Sequence, residues 1–346
     1  MKWLSDETIQ HLKRLAELPD LVDTKYLVRG ELGRGGMGTV YLAEDTILGR
    51  EVALKVAVPA DAGTATARRM LHEARVVARL EHPSIVPVHD VGALPDGRVY
   101  YVMKRVDGRR LDELSTGLPL PERLRIFQRI CEAIAFAHAH GVIHRDLKPE
   151  NVMVAPFGEV MVMDWGVAKI LDGGDASNAS TSPSADPEPV ATADGTVVGT
   201  LSYMAPEQAE GNRGALGRPA DVYALGAILY FLVTDRAPFD AEAAARRGRG
   251  ASRVVPVAPR RVARDVPRSV EAIVVKAMAI LPEHRYASAE ELAADTGRFV
   301  NGERVLAHRE TPIEQAVRFL SRYRTPVLLV VAYLFMRVVL ILFGRP

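Results

Sequence analysis

The chain is poor in several things, and each shortage excludes something. Among 346 residues there is one cysteine, Cys131, so no internal disulfide forms and a stapled secreted scaffold is ruled out. The net charge is only +1, which removes any general electrostatic reason to bind nucleic acid. The first twenty residues, MKWLSDETIQHLKRLAELPD, carry Asp6 and Glu7 where a secretion signal needs an unbroken apolar run. Ile9, Leu12 and Leu15 fall at helical spacing there, marking residues 1–25 as an amphipathic extension. From Asp172 to Thr196 the chain has no basic and no aromatic residue and one large aliphatic, Val190, too little apolar surface to offset chain entropy. That stretch reads as a long loop. No acid occurs after Glu314.

What is present points to a folded body. Hydrophobic residues make up 48% and charged residues 25%, so the bulk is neither disordered nor fibrous. Alternating runs come first (TVYLAED, EVALKVAV, RVYYVMKRV), then helical patterning from Pro121 to His140 and again in ADVYALGAILYFLVT and PRSVEAIVVKAMAI. The pattern predicts an α+β chain in two lobes, a small β-rich one over about 26–106 and a larger helical one over about 107–300. Residues 301–325 are basic, with Arg318, Arg322 and Arg324. They precede PVLLVVAYLFMRVVLILF, Pro326 to Phe343, whose single charge is Arg337. Its Leu, Ile, Val and Phe residues together favour insertion by roughly −4 to −8 kcal/mol, against about +2.5 to +3.5 for a central arginine. A transmembrane helix over 326–343 is expected, with the arginines before it holding the body in the cytoplasm of a single-pass cell-membrane protein. The competing reading is a buried C-terminal helix.

Chemistry-bearing residues are concentrated in four stretches. In ELGRGGMGTVYLAED, Gly33, Gly35 and Gly38 spell GxGxxG with Val40 two residues on. A dinucleotide-binding turn needs a helix after such glycines, whereas here they lead into a strand and a hairpin. The next strand carries Ala53 and Lys55 on one side, and eighteen residues later Glu73 lies in the helical pattern RRMLHEARVVARL. In HGVIHRDLKPENVMV, Asp146 and Asn151 are five apart with Lys148 between them. A carboxylate to accept a hydroxyl proton, a lysine beside the transferred group and an amide for a metal are what phosphoryl transfer requires together. Asp164 follows in VMDWGVAK, a hard oxygen ligand suited to Mg²⁺. His138, His140 and His144 lie close in sequence, yet two end a helix and the third belongs to the Asp146 loop, so zinc is not expected.

This set, in order and spacing, resembles the eukaryotic-type (Hanks-type) serine/threonine protein kinases of bacteria over Tyr26 to Val300. The resemblance implies a protein-kinase-like fold and transfer of the γ-phosphate of ATP, with Mg²⁺ or Mn²⁺, to Ser/Thr hydroxyls of protein substrates. Gly33, Gly35 and Gly38 would cover the ATP phosphates, with Val40 and Ala53 in the nucleotide site. Lys55, held by Glu73, would contact the α and β phosphates. Asp146 would be the base, Lys148 would assist at the γ-phosphate, and Asn151 and Asp164 would bind the metal. The hinge would be Met103 to Val106, with backbone groups of Lys104 and Val106 holding adenine. Lys148 with Thr200 resembles the Ser/Thr pattern. Glu207 would pair with Arg285, and Asp221 would brace the catalytic loop. Two departures stand out: Lys104, where an acid is common, and Trp165, where Phe is usual. Trp165 would pack under the helix bearing Glu73, near Val77 and His144, with an indole N–H in need of a partner. The loop 164–207 would be switched on by autophosphorylation at Thr196, whose phosphate would meet Arg145, with a homodimer for reaction in trans. The alternative class is a nucleotide-binding pseudokinase scaffold at the membrane, which usually has lost the Lys, Asp or Asn; all three are kept.

Overall fold

The computed structural model describes residues 18–35, 38–57, 65–114, 117–166, 168–170, 201–210, 217–248, 254–322 and 324–343. The N-terminal extension up to residue 17, and the loop residues that include Thr196 and Thr200, lie outside the described residues. Five antiparallel strands form the first lobe: β1 (Tyr26–Gly35), β2 (Gly38–Asp45), β3 (Arg50–Ala57), β4 (Val88–Ala93) and β5 (Val99–Lys104), in the order β1-β2-β3-β5-β4. Period-two alternation gives the sheet two apolar faces. Tyr41, Val52, Leu54, Val56 and Val102 pack on one side; Ala53, Ala57, Tyr101 and Met103 pack on the other. Helix α1 (Ala65–Val77) covers the second face with Met70 and Ala74. The register sets Val40 opposite Lys55 and Lys55 opposite Tyr101. Directly opposed residues share a face, so all three look to the same side.

Beyond β5 the chain enters a helical lobe. The three short strands β6 (Arg109–Arg110), β8 (Val152–Val154) and β9 (Val160–Val162) pair in the order β6-β8-β9, and β7 (Val142–Ile143) pairs with β10 (Lys169–Ile170). The core is made by α2 (Leu120–Ala139), α3 (Arg218–Thr234), α4 (Arg268–Ala277) and α5 (Ala289–Val300). Helix α3 is buried continuously from Ala220 to Thr234, as expected of a helix apolar on every side. A bridge between Ile85 and Val162, with Val162 N–H donating to Ser84 O at 2.9 Å, ties the two lobes behind the hinge.

Packing continues past Val300. Asp295, fully buried, accepts hydrogen bonds from Tyr286 Oη at 2.7 Å, Leu306 N at 2.6 Å and Ala307 N at 3.0 Å, and Val305 is buried beside them. Two helices follow, α6 (Pro312–Arg322) and α7 (Arg324–Phe343). The apolar helix expected from Pro326 thus exists, and its side chains from Leu328 to Phe343 are exposed. Among the described residues, however, no helix is long and apolar enough to cross a membrane. The apolar run of α7, Pro326 to Phe343, is interrupted by Arg337 and sits at the lower limit of the roughly 17–25 residues a span needs.

Candidate active site

Between the lobes lies a cleft of about 460 Å³. Lys55 enters it from β3, and its Nζ lies 3.1 and 3.0 Å from the two oxygens of Glu73 on α1 and 3.6 Å from Asp164 Oδ1. Tyr101 Oη donates to Glu73 Oε1 at 3.0 Å, so the carboxylate is fixed from two sides. Burial works against the charge on Lys55, but Tyr101, Glu73 and Asp164 outweigh it and hold its pKa above the ordinary lysine value. Burial likewise pushes Glu73 up, opposed by Lys55. One ammonium thus faces two carboxylates, and the excess negative charge suits a divalent cation.

The glycines divide into two kinds. A Cβ on Gly33 or Gly35 would meet nothing within 4 Å, so these two leave room over the cleft they line. A Cβ on Gly38 would lie 2.1 Å from Val56 O. Gly38 is required because β2 and β3 approach too closely there for any side chain.

The opposite wall is the catalytic loop. Asp146 Oδ2 lies 3.0 Å from Lys148 Nζ, and Asn151 Nδ2 donates to Asp146 O at 2.7 Å and to Oδ2 at 3.2 Å. The Asn151 amide therefore spends its N–H on Asp146 and keeps its oxygen for a cation. Both Arg145 (φ 71°) and Asp164 (φ 58°) adopt left-handed backbone, which costs such residues about 1–3 kcal/mol and needs support from around it. For Arg145, Asp221 provides that support, since its carboxylate accepts from His144 N at 2.8 Å, Arg145 N at 2.9 Å and His138 Nε2 at 2.8 Å. Burial would raise the Asp221 pKa, but the His138 hydrogen bond and charge and these backbone donors hold it below the ordinary carboxylate value. His144 joins the loop to the strand before Asp164: Nδ1 accepts from Asp146 N–H at 3.3 Å and Nε2 donates to Met163 O at 3.1 Å. Trp165, fully buried, packs its ring 4.5 Å from that imidazole.

Among the described residues no cluster of three or more His, Cys, Asp or Glu side chains could hold a metal by itself. Mg²⁺ takes one or two protein carboxylates and completes its shell with phosphate and water, so it does not require such a cluster. Asp164, 46% exposed in the cleft, and Asn151 both line it and could hold such an ion.

A family model for the protein kinase domain matches residues 26–295. The chain belongs to the protein kinase family. Within it, the chain is of the bacterial Hanks-type serine/threonine kind. It is 37% identical over 295 residues to the serine/threonine-protein kinase PrkC of Bacillus subtilis, covering 84% of this chain and 43% of PrkC. It is 38% identical over 293 residues to PknB of Mycolicibacterium smegmatis, covering 82% and 44%. The crystal structure of the Mycobacterium tuberculosis PknI kinase domain superimposes with a TM-score of 0.58 at 28% identity, over 79% of this chain and 96% of that one. The chain spans less than half the length of the curated relatives it matches.

In this kinase the structure brings Gly33, Gly35, Gly38, Val40, Lys55, Glu73, Met103, Asp146, Asn151 and Asp164 to one cleft, as the sequence suggested. Lys148 reaches it through Asp146. Three expected nucleotide contacts do not line the cleft with their side chains. Ala53 is buried in the apolar cluster behind it and Val106 packs on the same cluster. Lys104 turns away to form an ion pair with Glu159, and its N–H donates to Pro87 O at 3.1 Å. The unusual hinge lysine thus has a carboxylate partner across the hinge, and nothing in the sequence around Glu159 signals it. Trp165 meets His144 and lines the cleft with Val77, as expected, but its indole N–H finds no partner among the described residues. Glu207 and Arg285 pair as expected, at 2.7 and 2.8 Å. His138 Nε2 meets Asp221 Oδ2 at 2.8 Å and His140 Nδ1 meets Phe136 O at 2.8 Å. Tyr101 was missed, although it alternates with Met103 on the cleft-facing side of β5.

Proposed function

We propose that the chain transfers the γ-phosphate of ATP to serine or threonine hydroxyls of proteins. The observation that carries this reading is the placement of Asp146, tied to Lys148 and Asn151, in the same cleft as the Lys55–Glu73–Asp164 group. Asp146 takes the proton of the incoming hydroxyl as that oxygen bonds to the γ-phosphorus and ADP leaves. Lys148, beside Asp146, offsets charge on the phosphoryl oxygens, and Lys55 holds the α and β phosphates. Asn151 and Asp164 would hold Mg²⁺ or Mn²⁺, which when bound draws charge away from the phosphates. A pseudokinase has no observation in its favour, since none of these groups is lost or turned away.

Two finer readings accompany this one. Thr196 is the site whose autophosphorylation, in trans within a homodimer, orders the loop through a basic pocket that includes Arg145. Helix α7, whose exposed side chains from Leu328 to Phe343 are apolar apart from Arg337 and which is preceded by arginines, anchors the body to the cytoplasmic face of the cell membrane. Incubation of the chain with γ-labelled ATP and Mg²⁺ should place label on serine and threonine, with Thr196 among the sites. A chain that binds ATP yet labels neither itself nor a general protein substrate contradicts the kinase reading. Extraction of the full chain by alkaline carbonate contradicts the anchor.

A further inference from the structure

Phosphoryl transfer in the cleft does not require the hydroxyl of Tyr101. The side chain is buried and packs with Met70, Ala74 and Met103, apolar neighbours that a phenylalanine would meet equally well. Burying a phenol is unfavourable unless its O–H finds a partner, and here the partner is Glu73 Oε1 at 3.0 Å. Burial, with Glu73 adding to it and Lys55 opposing, pushes the Tyr101 pKa above the ordinary phenol value, so the hydroxyl keeps its proton to donate. Its place follows from the sheet. Tyr101 on β5 lies directly opposite Lys55 on β3, so neighbouring strands send the phenol and the ammonium to one face and onto one carboxylate of α1. Lys55 Nζ also lies 5.6 Å from the Tyr101 ring centroid, within reach of its negative face. The two anchors of Glu73 differ in kind. Lysine is a flexible stem whose charge is already shared between Glu73 and Asp164, and incoming phosphates compete for it. The phenol is a rigid ring on an interior strand, paired on one side by β3 and on the other by β4.

We propose that Tyr101 is a positioning residue for nucleotide binding: its hydroxyl holds Glu73, and through Glu73 the Lys55 ammonium, in place before ATP arrives. Without the hydroxyl the pair still forms, because Lys55 remains. The carboxylate on α1 then depends on the one cation that phosphate also draws, and the pair is assembled for a smaller share of the time. Apparent affinity falls with the share of binding-competent protein. Turnover at saturating ATP falls much less, since bound phosphates then hold Lys55 themselves. A tyrosine that only filled the core would act on melting and leave affinity alone. The inference rests on the reading of the cleft as an ATP site, and not on transfer of the phosphate.

The test uses the full chain, wild type and Tyr101→Phe, and measures Kd for ADP with Mg²⁺ beside the single-turnover rate at saturating ATP. The variant should bind ADP about tenfold more weakly, the low end of what a hydrogen bond to a charged group contributes, with the rate lowered by no more than about twofold. The effect should run through the pair: in a Lys55→Met background, Tyr101→Phe should change Kd for ADP by less than about twofold. Thermal melting reads packing on the same samples. A lower melting temperature with unchanged Kd makes Tyr101 a core residue and overturns the proposal. An equal loss of affinity in both backgrounds, or a lower rate with affinity kept, overturns it as well. A wild type that binds no nucleotide overturns the ATP reading together with this one, whereas equal binding by wild type and Tyr101→Phe overturns this one alone.

Discussion

Two ion pairs in this kinase have nearly the same length and opposite consequences. Arg285 has no exposed side-chain surface, and its donors are all committed: to both oxygens of Glu207, and to the carbonyls of Ala279, Pro219 and Ile280 at 2.8 to 3.0 Å. Nothing is left over to act on another molecule. Lys55 is 12% exposed and meets Glu73 at 3.0 Å, but one side of its ammonium faces Asp164 at 3.6 Å across an open cleft. Planar arginine, always charged and with five fixed donors, suits a saturated staple; lysine, a compact charge on a flexible stem, suits a site where a partner arrives later. A buried ion pair is therefore read by its unused capacity rather than by its distance.

The sharpest way to break this comparison is to cut each pair and record stability and turnover together. Glu207→Ala leaves the Arg285 guanidinium buried without its carboxylate and should cost about 3–5 kcal/mol of stability. At roughly 2–4 °C per kcal/mol for a domain of this size, melting should fall by on the order of 10 °C. Lys55→Met should weigh the other way: turnover falls by about 10²- to 10³-fold, the usual loss for one electrostatic donor at a reacting phosphate, while Glu73, already pushed up by burial, keeps Tyr101 and takes up a proton, so melting falls less than in Glu207→Ala. A Lys55→Met protein that melts far below wild type but keeps its turnover would merge the two classes of pair.

The same contrast applies to the glycines. Gly38→Ala forces a methyl group into Val56 O and should destabilise by about 1–3 kcal/mol, visible in a denaturant midpoint. Gly33→Ala meets no atom of the protein and should leave that midpoint alone while raising KM for ATP. The smallest effect is expected at Trp165. Phenylalanine removes a buried donor worth about 1–3 kcal/mol when unpaired, but also loses contact area, so Trp165→Phe should change melting little and keep most activity. A tenfold loss of turnover would show that the indole N–H has a partner in catalysis.

Legibility in the sequence followed the range of the interactions. Alternation in TVYLAED and EVALKVAV located β2 and β3 because one face of each strand meets an apolar cluster. Asp146, Lys148 and Asn151 were legible because one loop carries them at fixed spacing. The partners that cross the molecule were not: Glu159 reaches Lys104 over 55 residues, and Glu73 gains Tyr101 over 28. Residues 301–325 read as a basic segment before an apolar one, and the packing within it was not legible: Asp295 reaches forward to fix Leu306 and Ala307, and a single buried carboxylate leaves no periodic trace.

The measurement closest to the central claim is the single-turnover rate of phosphate transfer from bound ATP in wild type and Asp146→Asn, with ATP affinity measured on the same samples. A site that uses Asp146 as its base predicts unchanged affinity to within a few-fold and a rate lower by about 10²- to 10⁴-fold. Equal rates in the two proteins, or no transfer in either while ATP remains bound, would contradict it.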